Sequence, residues 1–258
     1  MGDERKLFLK KIKLEKLYVN LCRTLILFIF IVGWELLAHF KLINTFTFSS
    51  PSLVVKTFIG LFNEGILFKH IFITIYEIII SFGLATLIGF IVSSVMWFVP
   101  FLAKVLDPYL TVLNSLPKVA LGPLIIIWVG ASTNSIIFMS LLISCFITII
   151  NLYASFISTN SDYITLLKCF GANKIQTFCK VVIPSNKDNI VNTLKINVSM
   201  SLIGIIMGEL LVSKSGIGYL IMYGSQVFNI NLVITGVLIL GIISYVMYFI
   251  VNKFEQKK

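Results

Sequence analysis

The chain has 258 residues, of which 58% are hydrophobic and 12% are charged, and its formal net charge is +10. A soluble domain is about one quarter charged, so this composition excludes an ordinary soluble protein and indicates one whose apolar surface meets lipid. The basic residues lie between apolar runs and not on one polar domain, which argues against a nucleic-acid-binding protein.

Residues 1–20 form a basic segment before the first apolar run. Apolar residues alternate there with lysines, a pattern typical of an amphipathic helix at the membrane surface. A solvated basic arm explains the pattern equally well. The apolar members are Leu7, Leu9, Ile12, Leu14 and Leu17. The first apolar run reaches spanning length without a cleavage site, so we expect no cleavable signal peptide.

Six apolar runs approach the length of about 20 residues that a membrane-spanning helix requires. They lie at residues 21–40, 71–99, 105–129, 135–153, 190–212 and 232–251. The third is interrupted by Pro117, Lys118, Gly122 and Pro123. The sequence therefore predicts an all-α, polytopic membrane protein with six transmembrane helices in a single domain, residues 1–258.

The distribution of basic residues predicts the orientation of these helices. With the N-terminus in the cytoplasm, 15 of the 21 basic residues fall in inside segments and four in outside segments, while Lys118 and Lys195 fall within spans. Lysine and arginine favour cytoplasmic loops. We therefore predict a multi-pass protein of the cell membrane with both termini and the 154–189 loop in the cytoplasm.

No catalytic motif is found in the sequence. It contains no P-loop, no H-E-x-x-H and no G-x-S-x-G, so neither nucleotide binding nor hydrolytic chemistry is expected. The four cysteines lack zinc-ligand spacing, and we expect four free thiols, no metal and no cofactor in this chain. If the protein does work on a substrate, the energy must come from a gradient or from a partner protein.

The 154–189 loop is long enough to be structured or functional. Apolar residues recur at helical spacing on both sides of Gly171, where a helix can end and turn, and Pro184 closes the second half. Two short helices with an apolar face are predicted. That face packs either against the chain's own spans or against another protein.

This loop resembles the E-A-A loop of the permease subunits of ABC importers. Gly171, Ala172 and the ending "VVIP" at Pro184 match the pattern at the right spacing. At its front, Thr165, Leu166 and Leu167 stand where Glu-Ala-Ala would be. The resemblance implies that this loop, with Ile175 and Phe178 in its second half, docks onto a cytoplasmic ATPase.

Three further stretches resemble the nitrate, sulfonate and taurine branch of these type I permeases. They are "FTFSSPSLVVKTFIGLFNEGILFKHIFITIYEIIISFGLATLIG", "LDPYLTVLNSLPKVALGPLIIIWVG" and "MGELLVSKSGIGYLI". Glu77 fits a variant of the second-span motif rather than its arginine form. Four ordered matches over some 180 residues make the resemblance specific.

The resemblance implies the type I ABC importer permease fold, no enzymatic activity in this chain, and a homodimer in the lipid bilayer. Its partners would be two cytoplasmic ABC ATPase subunits, which bind ATP and Mg²⁺, and an extracellular or periplasmic substrate-binding protein. That protein would meet the 213–231 loop, which is otherwise a plain hairpin. The cargo would be a sulfonate, taurine, nitrate or bicarbonate, or alternatively a thiamine-precursor pyrimidine.

Polar residues at interrupted or charged spans are the candidates for a translocation path, since such groups are costly in lipid. They are Asn114, Pro117, Ser199, Ser201 and Glu209. Helix packing is the alternative role for the small residues. A secondary transporter remains a rival class, although no internal repeat is evident; a membrane-embedded enzyme would need a His, Asp or Cys cluster, which is absent from the sequence.

Overall fold

A computed structural model describes residues 2–256, and this part of the chain is helical without a β-strand. The numbered helices are α1 (Gly2–His39), α2 (Pro51–Asn63), α3 (Ile66–Phe98), α4 (Pro100–Ser115), α5 (Gly122–Val129), α6 (Thr133–Ile157), α7 (Ser161–Cys169), α8 (Lys174–Thr177), α9 (Lys187–Val212), α10 (Ile217–Gln226) and α11 (Ile230–Gln256). Further short helical segments lie at Thr45–Phe48, Lys118–Leu121, Phe178–Val182 and Ile183–Ser185. The predicted all-α class is confirmed.

Five helices of the described chain are long and apolar enough to cross a membrane, namely α1, α3, α6, α9 and α11. The predicted third span is instead a pair of helices, α4 and α5, that meet at an angle of 83°. Leu116 is extended before Pro117, as the proline ring requires of its predecessor. The predicted interruption of the third span is therefore confirmed, and the bent pair makes a sixth span if it is counted as one.

The core of the bundle is α6, which lies between α3 and α9. Small residues allow this close approach. A Cβ atom on Gly204 of α9 would lie 2.4 Å from the Cα of Ser140 on α6, and one on Gly89 of α3 would lie 2.5 Å from Cγ2 of Thr148. The three backbones therefore pack as closely as glycine permits.

Helix α11 packs against α9, α10 and α2, whereas α1 touches the rest of the chain mainly through α2. Residues 2–39 form one continuous helix, so the basic segment leads into the first span without a break. The side chains of Leu7, Leu9 and Ile12 lie outside the described residues, and the amphipathic interpretation stays a prediction. Leu14 and Leu17 are exposed.

Candidate coupling loop and translocation path

Helix α7 has a defined beginning and end. The side chain of Asn160 accepts a hydrogen bond from the Asp162 amide (2.8 Å) and caps the N-terminus. Gly171 has a φ of +78°, and the amide of Ala172 donates to the Leu167 carbonyl (3.0 Å). This is a Schellman ending, for which glycine is strongly preferred. The predicted turn at Gly171 is confirmed.

The second half of the loop starts with a capping box. The Asn173 side chain accepts from the Gln176 amide and the Gln176 side chain accepts from the Asn173 amide, each at 2.8 Å. The helix then widens into a π-helical segment, Phe178–Val182. Such segments often occur at functional sites. A last turn at Ile183–Ser185 contains Pro184.

The loop presents one apolar set to its surroundings and buries another. The side chains of Leu166, Phe170 and Ile175 are 56%, 80% and 66% exposed, whereas Phe178 is 5% exposed. Thr165, Gly171 and Pro184 are exposed, and Leu167 and Ala172 are half-buried. Part of the apolar face therefore packs against the chain's own spans and part is exposed; docking of the exposed part onto another protein stays a prediction.

Phe178 anchors the loop to the ends of two core helices. Its ring centroid lies 5.0 Å from Trp97 and 5.1 Å from Phe98 on α3, and 5.2 Å from Phe156 on α6. Asn186 adds a polar tie, because its Nδ2 donates to Thr159 Oγ1 just beyond α6 (2.7 Å). A displacement of the loop would therefore act on α3 and α6 directly.

The bend between α4 and α5 holds a cation inside a membrane segment. Lys118 Nζ donates to Asn114 Oδ1 (2.9 Å) and lies 5.9 Å from the centroid of the Phe146 ring. Asn114 and Lys118 are half-buried, and Pro117 between them is exposed. The bend thus presents a lysine, an amide and backbone groups freed from helical hydrogen bonding at one place.

Two of the candidate path residues, Ser201 and Glu209, are buried inside this chain. Ser201 is 0% exposed, and its carbonyl oxygen lies 2.9 Å from the hydroxyl of Ser140. Ser199, two residues earlier on α9, is exposed. The packing role applies to Ser201, while Asn114, Pro117 and Ser199 lie on accessible faces. A path along these three residues stays a prediction.

Glu209 is also buried, at the junction of α9, α3 and α10. Its Oε1 accepts from Thr74 Oγ1 (2.6 Å) and its Oε2 from the Gly218 amide (2.5 Å). A Cβ on Gly216 would lie 2.2 Å from Oε1, so glycine at this position makes room for the carboxyl group. Glu209 therefore connects the 213–231 loop to the bundle through the Gly218 amide.

The hydrogen bond between Thr159 and Asn186 was missed by the sequence reasoning. Phe170 was counted with the apolar residues of the loop, but its exposure was not predicted; its position immediately before the helix-ending Gly171 could have marked it as the exposed end. Asn186 follows the predicted stop at Pro184; its contact with Thr159 joins two segments whose proximity only the fold reveals.

The chain matches known transport proteins over most of its length. Residues 85–258 match the family described as the binding-protein-dependent transport system inner membrane component. A putative aliphatic sulfonates transport permease protein of Bacillus subtilis is 26% identical over 89% of this chain and 83% of its own. A formylaminopyrimidine transport permease protein of Halalkalibacterium halodurans is 27% identical over 94% and 96%.

A taurine transport system permease protein of Escherichia coli is 22% identical over 83% of this chain and 80% of its own. Among solved structures, a chain of the MetNI methionine ABC transporter in an inward-facing conformation has a TM-score of 0.65 at 16% identity. The match covers 74% of this chain and 94% of that chain. The fold is therefore shared with this transporter.

Proposed function

The chain belongs to the binding-protein-dependent transport system inner membrane component family, and from this premise we propose that it carries a small organic anion through the membrane. It is an ABC importer permease subunit, a multi-pass inner-membrane component, and not an enzyme. ATP is hydrolysed by a separate subunit. The cargo, the docking residues and the oligomeric state are the subjects of the proposal.

The observation that supports docking at residues 161–185 is the division of the loop into an exposed and a buried apolar set. Leu166, Phe170 and Ile175 offer an apolar surface beside basic residues. Phe178 lies beneath it among the rings of α3 and α6. A surface that is both accessible and rigidly connected to the core is suited to transmit the movement of an ATPase.

Capture of the partner ATPase by the purified permease tests this docking. Gly171→Pro should abolish capture, because proline cannot adopt a φ of +78° and lacks the amide that donates to Lys168. Gly65→Pro is the matched control, since Gly65 has a φ of +71° but lies at the predicted outer side. Capture that survives Gly171→Pro in a folded protein would place the dock elsewhere.

An anionic cargo is favoured by Lys118. A lysine in a membrane segment is costly and usually faces a cavity or a partner charge, and this lysine lies at the bend beside exposed Pro117. Relatives described as sulfonate and taurine permeases agree with this choice. A thiamine-precursor pyrimidine is the alternative cargo, because the formylaminopyrimidine relative matches over 94% of the chain.

Uptake by proteoliposomes that contain the permease, its ATPase and its binding protein distinguishes these cargoes. We expect ATP-dependent uptake of a labelled alkanesulfonate or taurine that falls at least tenfold in Lys118→Gln and is retained in Lys118→Arg. Lys195→Gln is the control within another span. Uptake of formylaminopyrimidine that is indifferent to Lys118 would favour the alternative, and uptake without ATPase would favour a secondary transporter.

The functional unit would be a homodimer with cytoplasmic termini. Residues 2–256 provide five helices of spanning length and one bent pair, and so few helices leave little room for a sealed path inside a single copy. The exposed candidates Asn114, Pro117 and Ser199 would then face the second copy across the path. A monomer by light scattering, in a preparation active in transport, would contradict this arrangement.

A further inference from the structure

Two carboxyl groups meet inside the bundle, at the end where α9 leads into α10. Glu77 on α3 is 0% exposed and Glu209 on α9 is 1% exposed. Both belong to helices of spanning length. Thr74, one helical turn before Glu77 on α3, donates to Glu209, which places the two carboxyl groups close enough to interact. Two negative charges side by side in a buried site would repel each other strongly.

Glu209 is well supplied with hydrogen-bond donors. The Thr74 hydroxyl and the Gly218 amide donate to its two oxygens at 2.6 Å and 2.5 Å. Gly218 lies in the first turn of the ten-residue helix α10, whose N-terminus favours a negative charge. Glu209 is therefore placed to be the ionised member of the pair.

Glu77 has no such donors. Neither of its carboxyl oxygens accepts a hydrogen bond from the described residues, and the nearby Thr133 hydroxyl does not meet hydrogen-bond geometry. An ionised carboxylate can only accept, and a buried charge without donors is strongly unfavourable. Glu77 can, however, act as a donor if it carries a proton.

No cation of the described chain compensates a second negative charge at this place. The Gly216 amide lies 2.9 Å from Nδ1 of His70 on α3, and donation to this nitrogen requires a neutral ring, whereas the Gly216 carbonyl oxygen lies 3.0 Å from the same nitrogen. The ring also stacks on Tyr219. Lys69 on α3 and Lys214 before α10 are exposed. Lys195 on α9 precedes Glu209 by 14 residues, about 21 Å along a helix.

We propose that Glu77 is held as the neutral carboxylic acid and donates its proton in a hydrogen bond to the Glu209 carboxylate. The pair then binds one proton, carries one negative charge and joins α3 to α9 and α10. This proton site depends neither on the cargo nor on the ATPase. It explains why both oxygens of a fully buried glutamate lack any other donor.

Infrared spectroscopy of the purified permease tests the assignment, in an ester-free detergent at neutral pH with ¹³C-labelled glutamate. Wild type should show the carbonyl band of a protonated carboxylic acid, and Glu77→Gln should lack it. Thermal unfolding provides a second readout. Because the folded protein retains a proton that the unfolded chain releases at neutral pH, wild-type stability should fall as the pH rises, and this slope should be absent in Glu77→Gln.

Three results would overturn the proposal. The band could be absent from folded wild type, or it could persist in Glu77→Gln and vanish in Glu209→Gln. Stabilisation of band-free wild type by sodium or calcium ions would identify a cation, not a proton, between the carboxyl groups. If Glu77→Gln fails to fold, absence of the band from folded wild type still overturns the proposal, and its persistence in Glu209→Gln supports Glu77 as the protonated group.

Discussion

At the scale of single residues, the glycines of α9 set how closely it packs. We predict that Gly204→Ala lowers the melting temperature of the purified protein, with a cost of about 1–3 kcal/mol for overpacking. The added Cβ would lie 2.4 Å from the Cα of Ser140, and a backbone atom cannot move aside easily. Thermal unfolding in detergent measures the effect.

Gly83→Ala is the matched control for that change. Gly83 is also inside a spanning helix, but a Cβ there would meet nothing within 4 Å. Alanine should be neutral or stabilise the helix by up to about 1 kcal/mol. Equal losses in both variants would show that helix propensity or lipid contact, and not the α6–α9 approach, governs stability.

The role of a residue could be predicted from the sequence where its backbone conformation determines that role. The spacing around Gly171 indicated a helix ending, and its φ of +78° agrees. The burial of Phe178 and the exposure of Ile175 could not be separated, because both are apolar residues on a short amphipathic segment. Which of them meets the bundle depends on where α3 and α6 end.

At the scale of elements, mutations should distinguish the buried side chains of residues 161–185, which support the core, from the exposed ones. We predict that Phe178→Ala destabilises the protein by about 3–5 kcal/mol, the usual cost of removing a buried aromatic ring. Its ring contacts Trp97, Phe98 and Phe156 at 5.0–5.2 Å. The melting temperature and the ATP-dependent uptake should fall together.

Phe170→Ala should leave the stability of the protein unchanged and weaken its binding to the ATPase. This side chain is 80% exposed, so its removal should change the free energy of unfolding by no more than about 0.5 kcal/mol and leave the melting temperature nearly unchanged. Capture of the ATPase should nevertheless weaken, because an exposed aromatic ring at a dock contributes binding energy. Unchanged capture would remove Phe170 from the docking surface.

For the bent pair α4–α5, the sequence predicts the position of the break but not the angle between the two helices. Pro117 and the residues around it located the interruption, since proline disfavours a helical predecessor. The 83° angle does not follow from these residues alone. It depends on the packing of Gly122 against Leu211 and Met139, residues that are distant in sequence.

At the scale of the whole molecule, the native cysteines test the orientation of the chain. Cys169 and Cys179 are free and exposed in the 154–189 loop, whereas Cys145 is free and buried. We predict that a membrane-impermeant maleimide labels a variant retaining only Cys169 in inside-out vesicles but not in intact cells. Gel-shift assays with a bulky maleimide measure this labelling.

A variant retaining only Cys145 is the control, and it should react from neither side until the protein is denatured. Labelling of Cys169 from the outside of intact cells would reverse the orientation and place the coupling loop away from the cytoplasm. Both variants should first be shown to insert into the membrane.

The number of spans could be predicted from the sequence, but which helices pack against each other could not. Hydropathy and length identify α3, α6, α9 and α11 because the bilayer has a fixed thickness. In lipid, however, residues facing the bilayer and residues facing another helix are equally apolar. The central position of α6 therefore becomes visible only through contacts such as Gly204 with Ser140.

The hydrogen bond between Thr74 and Glu209 joins residues 135 positions apart, which has a consequence for biosynthesis. At about 5–20 residues per second, the ribosome needs roughly 7–27 s to deliver Glu209 after Thr74. During that interval α3 lies in the bilayer while Thr74 and Glu77 lack their contacts with Glu209. Chains truncated before α9 should therefore be recognised by membrane proteases, and completion of α9 should mark the moment at which the nascent permease escapes degradation.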